Sequence, residues 1–136
     1  MAANSRLAVG LHALTAIAFR APDVVRSEDI AWSVRTNPVV IRRVLARLTR
    51  AGLVKSIRGK TGGFKLARDP KKITGLDVYR ALEPGGLFAQ HAAAPEPSCP
   101  VSCAMEDLLA RTFREADRAV EQRLARITIA GLASEV

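Results

Sequence analysis

The sequence predicts a mainly α chain with one small β-hairpin behind its third helix and a long helix near its C-terminus. Three observations predict it. Between Ser27 and Gly52 two short helix signatures follow one another across a tight turn. The run Gly59-Lys60-Thr61-Gly62-Gly63 joins two short strand-like segments. Met105, Leu109, Phe113, Ala116, Val120, Leu124 and Ile127 step by four, four, three, four, four and three residues, the spacing of one narrow helix seam. With 136 residues, 49% of them hydrophobic, the chain supports one cored domain with an appended helix and not two full cores.

Taken in order, Asn4 or Ser5 is placed to cap a largely buried first helix ending near Phe19, before Pro22 and Asp23 break it. Ser27 is the expected N-cap of a second helix of about two turns, with Glu28 and Asp29 set favourably against its dipole. Asn37 and Pro38 start the third helix as N-cap and first helical residue. Ile41, Val44, Leu45 and Leu48 give it one buried face, and Gly52 ends it. Leu53–Arg58 and Phe64–Ala67 are the two strands. Thr74 opens a fourth helix with Asp77 as its capping-box partner, ending near Glu83. Residues 84–100 are rich in Pro, Gly and Ala and read as a long loop; the last helix is expected from about Ser102 to about Ile129. Two helices joined by a tight turn and followed by a basic hairpin make a winged helix-turn-helix. Residues 1–83 are its domain, 84–102 a loop, and 103–136 the seam helix with a C-terminal tail.

Charge points to the partner. The chain carries +8 overall, but twelve bases (Arg35, Arg42, Arg43, Arg47, Arg50, Lys55, Arg58, Lys60, Lys65, Arg68, Lys71 and Lys72) lie in one segment whose single acid is Asp69. That segment is at +11 and the rest of the chain at −3. A solvated face carries mixed charge; this much segregation is the footprint of a polyanion-binding surface, here double-stranded DNA. Aromatics at 4% argue against base-stacking platforms for single strands. Arg6 followed by the apolar run Leu7–Phe19 imitates a secretory leader, but His12 and Thr15 interrupt it and it is too short to span a bilayer. A cytoplasmic protein with no membrane partner is expected.

Two motif matches at the hairpin tip fail. Gly59-Lys60-Thr61 ends like a phosphate-binding P-loop, yet Val54 stands where that motif needs its first glycine. Gly59-x-x-Gly62 matches the loop of KH-type RNA binders, but here it joins strands and not helices. No Ser/His/Asp set, paired carboxylates or Cys/His pair has a catalytic spacing, so an enzyme is not expected.

The segments Ser5-Arg6-Leu7-Ala8-Val9, Ser27-Glu28-Asp29-Ile30-Ala31, Thr36-Asn37-Pro38-Val39-Val40-Ile41-Arg42-Arg43, Ala51-Gly52-Leu53-Val54, Gly59-x-x-Gly62-Gly63-Phe64-x-Leu66-Ala67 and Leu76-Asp77-Val78-Tyr79-x-Ala81-Leu82-Glu83 resemble the Rrf-two (Rrf2) family of bacterial transcription regulators. The resemblance implies a homodimer whose third helix enters the major groove and whose wing reaches the minor groove. By position, Val39, Arg42 and Arg43 would read bases and Arg58 would be the wing cation. Better-known relatives have polar and acidic residues at the positions of Val39 and Arg42, so a different operator is expected. Arginine reads guanine bidentately and valine can touch a thymine methyl. Arg47 and Arg50 are expected on phosphates, with Thr36, Asn37, Gly59, Lys60 and Thr61 lining the same interface. Leu109, Phe113, Ala116, Val120, Leu124 and Ile127 are the expected dimer interface.

Family members that hold an iron–sulfur cluster have three cysteines before the long helix and a further acid or His, often from the partner's first helix. Here there are two, Cys99 and Cys103, and the matching first-helix positions are Leu11 and Thr15, which cannot ligate iron. His12 reads as a packed helix-surface residue and His91 as a solvent-facing loop residue. No metal site and no cofactor are expected, since a cluster needs about four ligands. Cys99 resembles a cysteine of family members that respond to oxidants, so Cys99 and Cys103 are redox-sensing candidates, against the alternative of two inert thiols. The expected function is a sequence-specific DNA-binding regulator acting as a repressor. The alternatives are a winged-helix module binding an acidic protein and a cluster-sensing regulator.

Overall fold

The computed structural model of the protein describes residues 5–136, so Asn4 as a first cap lies outside the described residues. The elements run α1 (Arg6–Phe19), α2 (Ser27–Val34), α3 (Pro38–Arg50), β1 (Val54–Ile57), β2 (Gly63–Leu66), a 3-10 turn (Pro70–Lys72), α4 (Gly75–Leu82), α5 (Pro100–Leu124) and α6 (Ile129–Ser134). The winged helix-turn-helix is present, followed by a helix of 25 residues.

Helix α1 runs through the centre and packs against α2, α3, α4, α6 and β2. Its buried residues include Ala13, Leu14 and Ile17; around them close Ile30 of α2, Ile41, Leu45 and Leu48 of α3, and Leu82 of α4. Gly10 is where α1 meets α4, for a Cβ there would run into the Leu82 side chain. β1 and β2 pair antiparallel with Val54 opposite Leu66 and Ile57 opposite Gly63. Val25 clips the hairpin to the core: its N–H donates to Phe64 O at 3.0 Å and its carbonyl accepts from Phe64 N at 2.8 Å.

Two helix starts differ from expectation, and a third lacks its side-chain bond. Ser5 is the N-cap of α1, as expected, but in a helical conformation and without a side-chain capping bond. Ser27 is the first residue of α2, not its cap; Arg26 takes the extended cap position. The last long helix starts earlier than Ser102, with Cys99 as its cap and Pro100 at the first helical position. Asn37 and the Thr74–Asp77 capping box are as expected.

The larger correction is at the C-terminus. The long helix stops at Leu124 and not near Ile129. Ile127 therefore lies outside α5, its carbonyl accepting from Gly75 N at 2.8 Å. After it the chain makes a bridge between Thr128 and Thr74, and α6 follows with Thr128 as its cap. Ile129 is fully buried in the core that α1 to α4 build. What read as a tail belongs to the DNA-binding unit.

α4 holds α5 through one buried hydroxyl. Tyr79, 3% exposed, donates to Asp117 Oδ1 at 2.6 Å. Burial, then the hydrogen bond and charge of Asp117, push its pKa up to about 12. Since this folded value exceeds the unfolded one of about 10, the stabilisation is whole below pH 10 and is lost as pH rises through about 12. Tyr79 is the single tyrosine of the chain, so an ultraviolet titration should place the tyrosinate midpoint near 12. Asp117→Asn should lower it; a wild-type midpoint near 10 would show that the hydroxyl is not tied to Asp117.

Candidate nucleic-acid interface

Asn37 Oδ1 accepts from Val39 N at 2.8 Å and Pro38 occupies the first turn, so the start of α3 is set locally. Burying Ile41, Val44, Leu45 and Leu48 turns the opposite face outward: Val39, Arg42, Arg43, Ala46, Thr49 and Arg50 are all exposed. Arg35, in the turn before α3, has φ 61, the left-handed region, and its side chain is exposed. At the wing, Arg58, Gly59, Lys60 and Thr61 are exposed. Gly59 takes φ 108, open only to glycine without strain, and its carbonyl closes the tip by accepting from Gly62 N at 3.0 Å.

The four ion pairs among the described residues are Arg6–Glu83, Arg20–Asp29, Arg26–Asp29 and Arg80–Glu121. None of the twelve bases between Arg35 and Lys72 takes part in one. The strand register adds a pairing that sequence reading missed: Lys55 stands directly opposite Lys65. Like charges in that position destabilise a hairpin unless an anion comes between them. Counting back along both strands from the glycine tip would have found this pair.

Arg47 also has an intramolecular partner. It is half-buried and its Nη1 donates to Leu82 O at 3.2 Å, closing the C-terminal end of α4. This bond ties α3 to α4, while Arg50 is exposed on the outer face of α3. Arg68 caps α3 similarly, donating to Ala51 O at 3.2 Å. Thr36 is half-buried and the Asn37 carboxamide oxygen is engaged in its cap.

The proposed seam is divided between tasks. No residue of α5 is buried; Met105, Leu109, Phe113, Ala116, Val120 and Leu124 are all half-exposed. Phe113 stacks on Phe88 of the preceding loop at a ring-centroid distance of 5.5 Å, and Leu124 packs over Gly75. Cys99 Sγ accepts from Ser102 N at 3.4 Å, while exposed Cys103 donates to Glu96 O at 3.5 Å. Both thiols are free. His12 Nε2 lies 2.9 Å from Ser33 Oγ on the protein surface, and His91 is exposed in the loop.

A capped helix presenting unpaired arginines after a tight turn, followed by a basic hairpin, defines a DNA-binding winged helix-turn-helix protein. The chain belongs to the Rrf2 family, described as an iron-dependent transcriptional regulator, whose model matches residues 3–135. It is 43% identical over 123 residues to YwnA of Bacillus subtilis (strain 168), named as an HTH-type transcriptional regulator, covering 90% of each chain. A solved structure described as a DNA-binding protein is 37% identical, with a TM-score of 0.74 and coverage of 94% of this chain and 98% of that one. The structure of CymR, the global cysteine regulator of B. subtilis, superposes with a TM-score of 0.72 at 27% identity, covering 100% and 98%. The protein is thus a DNA-binding transcriptional regulator and not an enzyme.

The family description raises iron, and the donors in this chain do not fit a cluster. Two thiols one helical turn apart are the only cysteines of the chain, and Leu11 and Thr15 of α1 carry no group that ligates iron. Among the described residues no three His, Cys, Asp or Glu side chains gather in a metal-binding group. No described helix is long and apolar enough to cross a membrane.

Proposed function

We propose that the protein is a cytoplasmic homodimeric repressor that reads operator DNA with α3 and grips the flanking backbone with the β1–β2 wing. The observation that carries this reading is the set of twelve bases without a single acidic partner, concentrated on α3, the wing and the turn after it. Buried or paired cations would be structural; unpaired ones on a capped, rigid helix await phosphate and base edges. Val39, Arg42 and Arg43 are the base readers, Arg58 the wing cation in the minor groove, and Arg50, Lys60, Lys55 and Lys65 the backbone contacts.

Dimerisation is supported by α5. A helix of 25 residues that buries none of them in its own chain, and leaves Val101 and Leu108 exposed at 65% and 41%, has an apolar surface to cover. A second copy would cover it and present two α3 helices to half-sites about one DNA turn apart. Repression follows from a dimer seated on promoter DNA and excluding other proteins from it. The accessible Cys103, one turn from Cys99 at the start of that helix, supports an oxidant-sensitive input.

Titrating labelled DNA from upstream of the protein's own gene, at several salt concentrations, tests the reading. Saturable binding by a dimer, with log K falling by about 0.9 per phosphate contact for each log unit of salt, is expected. Absence of any complex at low salt would instead favour a module that binds an acidic protein.

A further inference from the structure

Helix α5 meets the winged helix-turn-helix chiefly through α4. No side chain of α5 is buried, so little apolar burial anchors it there and polar contacts weigh heavily in setting the angle between the two helices. Among the described residues, two side-chain contacts of this kind join them. Arg80 Nη2 donates to Glu121 Oε2 at 3.2 Å, but both side chains reach water, where an ion pair counts for little. The other is protected. Tyr79 is buried and its hydroxyl donates to Asp117 Oδ1 at 2.6 Å, a short bond to a carboxylate.

The same carboxylate holds the start of the loop that leaves α4. Asp117 Oδ1 accepts from Leu87 N at 3.4 Å, and Gly86, at φ 80, lies so close that a Cβ would run into Asp117 Oδ2. One turn beyond Tyr79, α4 ends on the reading helix, where Leu82 O accepts from Arg47 Nη1 of α3 at 3.2 Å. The next residue, Glu83, is buried and takes Arg6 of α1 through two bonds of 3.1 and 3.0 Å. Helix α4 is thus clamped to α3 and α1 at its C-terminal end and to α5 one turn earlier. Rotating α3 against α5 strains these bonds first.

We infer that Asp117 and Tyr79 are positioning residues for DNA reading: through α4 they set the angle of α3 against α5, and with it the separation at which a dimer holds its two α3 helices. This rests on the dimeric DNA-binding reading above, in which α5 carries the second copy. A rigid junction makes a dimer selective for one half-site spacing, whereas a loose one lets each unit follow the duplex.

Footprinting the full chain on its upstream DNA locates the two half-sites. Affinity is then measured on that duplex and on one with a base pair inserted between them, a change of about 3.4 Å and about a tenth of a turn. The wild-type protein should bind the inserted duplex about fivefold more weakly or worse, the lower end of what distorting a short duplex costs. Tyr79→Phe, which keeps the ring and removes only the hydroxyl, should bring the two affinities within about twofold. Asp117→Ala should do the same, and Asp117→Asn, which retains an acceptor for the hydroxyl, should keep the wild-type ratio. Binding to an isolated half-site should be alike in all four proteins, because no side chain assigned to DNA has changed. A merely structural role would weaken binding to every duplex in proportion and leave the ratio alone; that result overturns the inference, as does a wild-type ratio near one. Wild-type protein that binds the intact duplex as a single protomer, or not at all, tells against the dimeric reading and takes the inference with it.

Discussion

Arg43→Ala is expected to lower affinity for operator DNA by about 5- to 150-fold, the worth of a bidentate arginine–guanine contact of roughly 1–3 kcal/mol. Binding to random DNA should change little, because base edges carry the sequence information and phosphates do not. Arg50→Ala should behave differently. It sits on the same outer face in the last turn of α3, and its loss should weaken binding to all sequences and reduce the salt slope by about 0.9. Both side chains are exposed and unpaired, so thermal stability should move by no more than about 0.5 kcal/mol in either variant. That separates them from Arg47→Ala, which also removes the bond to Leu82 O and should register as a loss of stability. Competition titrations with specific and random duplexes check this; equal losses on both duplexes in Arg43→Ala and Arg50→Ala would refute the division of roles.

Ile129→Ala should destabilise the fold by about 2–5 kcal/mol, the usual cost of emptying a fully buried aliphatic site. Against a total stability of about 5–15 kcal/mol for a domain, that is a large fraction from a residue seven positions before Val136. The contrast is Val101→Ala on α5, 65% exposed, which should change the stability of the isolated fold by about 0.5 kcal/mol or less. Urea unfolding of both variants measures the difference. A loss below 1 kcal/mol for Ile129→Ala would mean that α6 is not part of the cooperative unit.

Local signals made most of the DNA-binding unit legible. Asn37-Pro38 and the Thr74–Asp77 box specify helix starts through bonds that span two or three residues, and both appear in the structure with those bonds. The Gly59–Gly63 tip and its flanking strands were placed to within a residue or two, since hairpin geometry depends on its own turn. The Ser27 cap failed for a reason of the same scale: Arg26 in the cap position shows that a good capping side chain does not settle which residue leaves the helix.

The sequence by itself determined the fold class, the outward face of α3 and the pooling of cations without acids, because each follows from helical or strand periodicity and from charge counting. Tertiary structure alone decided where α5 ends, that Ile127 leaves the seam, that α6 returns to α1, and that Arg47 serves α4. These depend on contacts between residues far apart in the chain: the Gly75 N–H that takes Ile127 O, the pocket that takes Ile129, the open carbonyl of Leu82. A heptad-like stripe continues from Leu124 to Ile127 in sequence whether or not the backbone stays helical, and only the bridge between Thr74 and Thr128 shows that it does not.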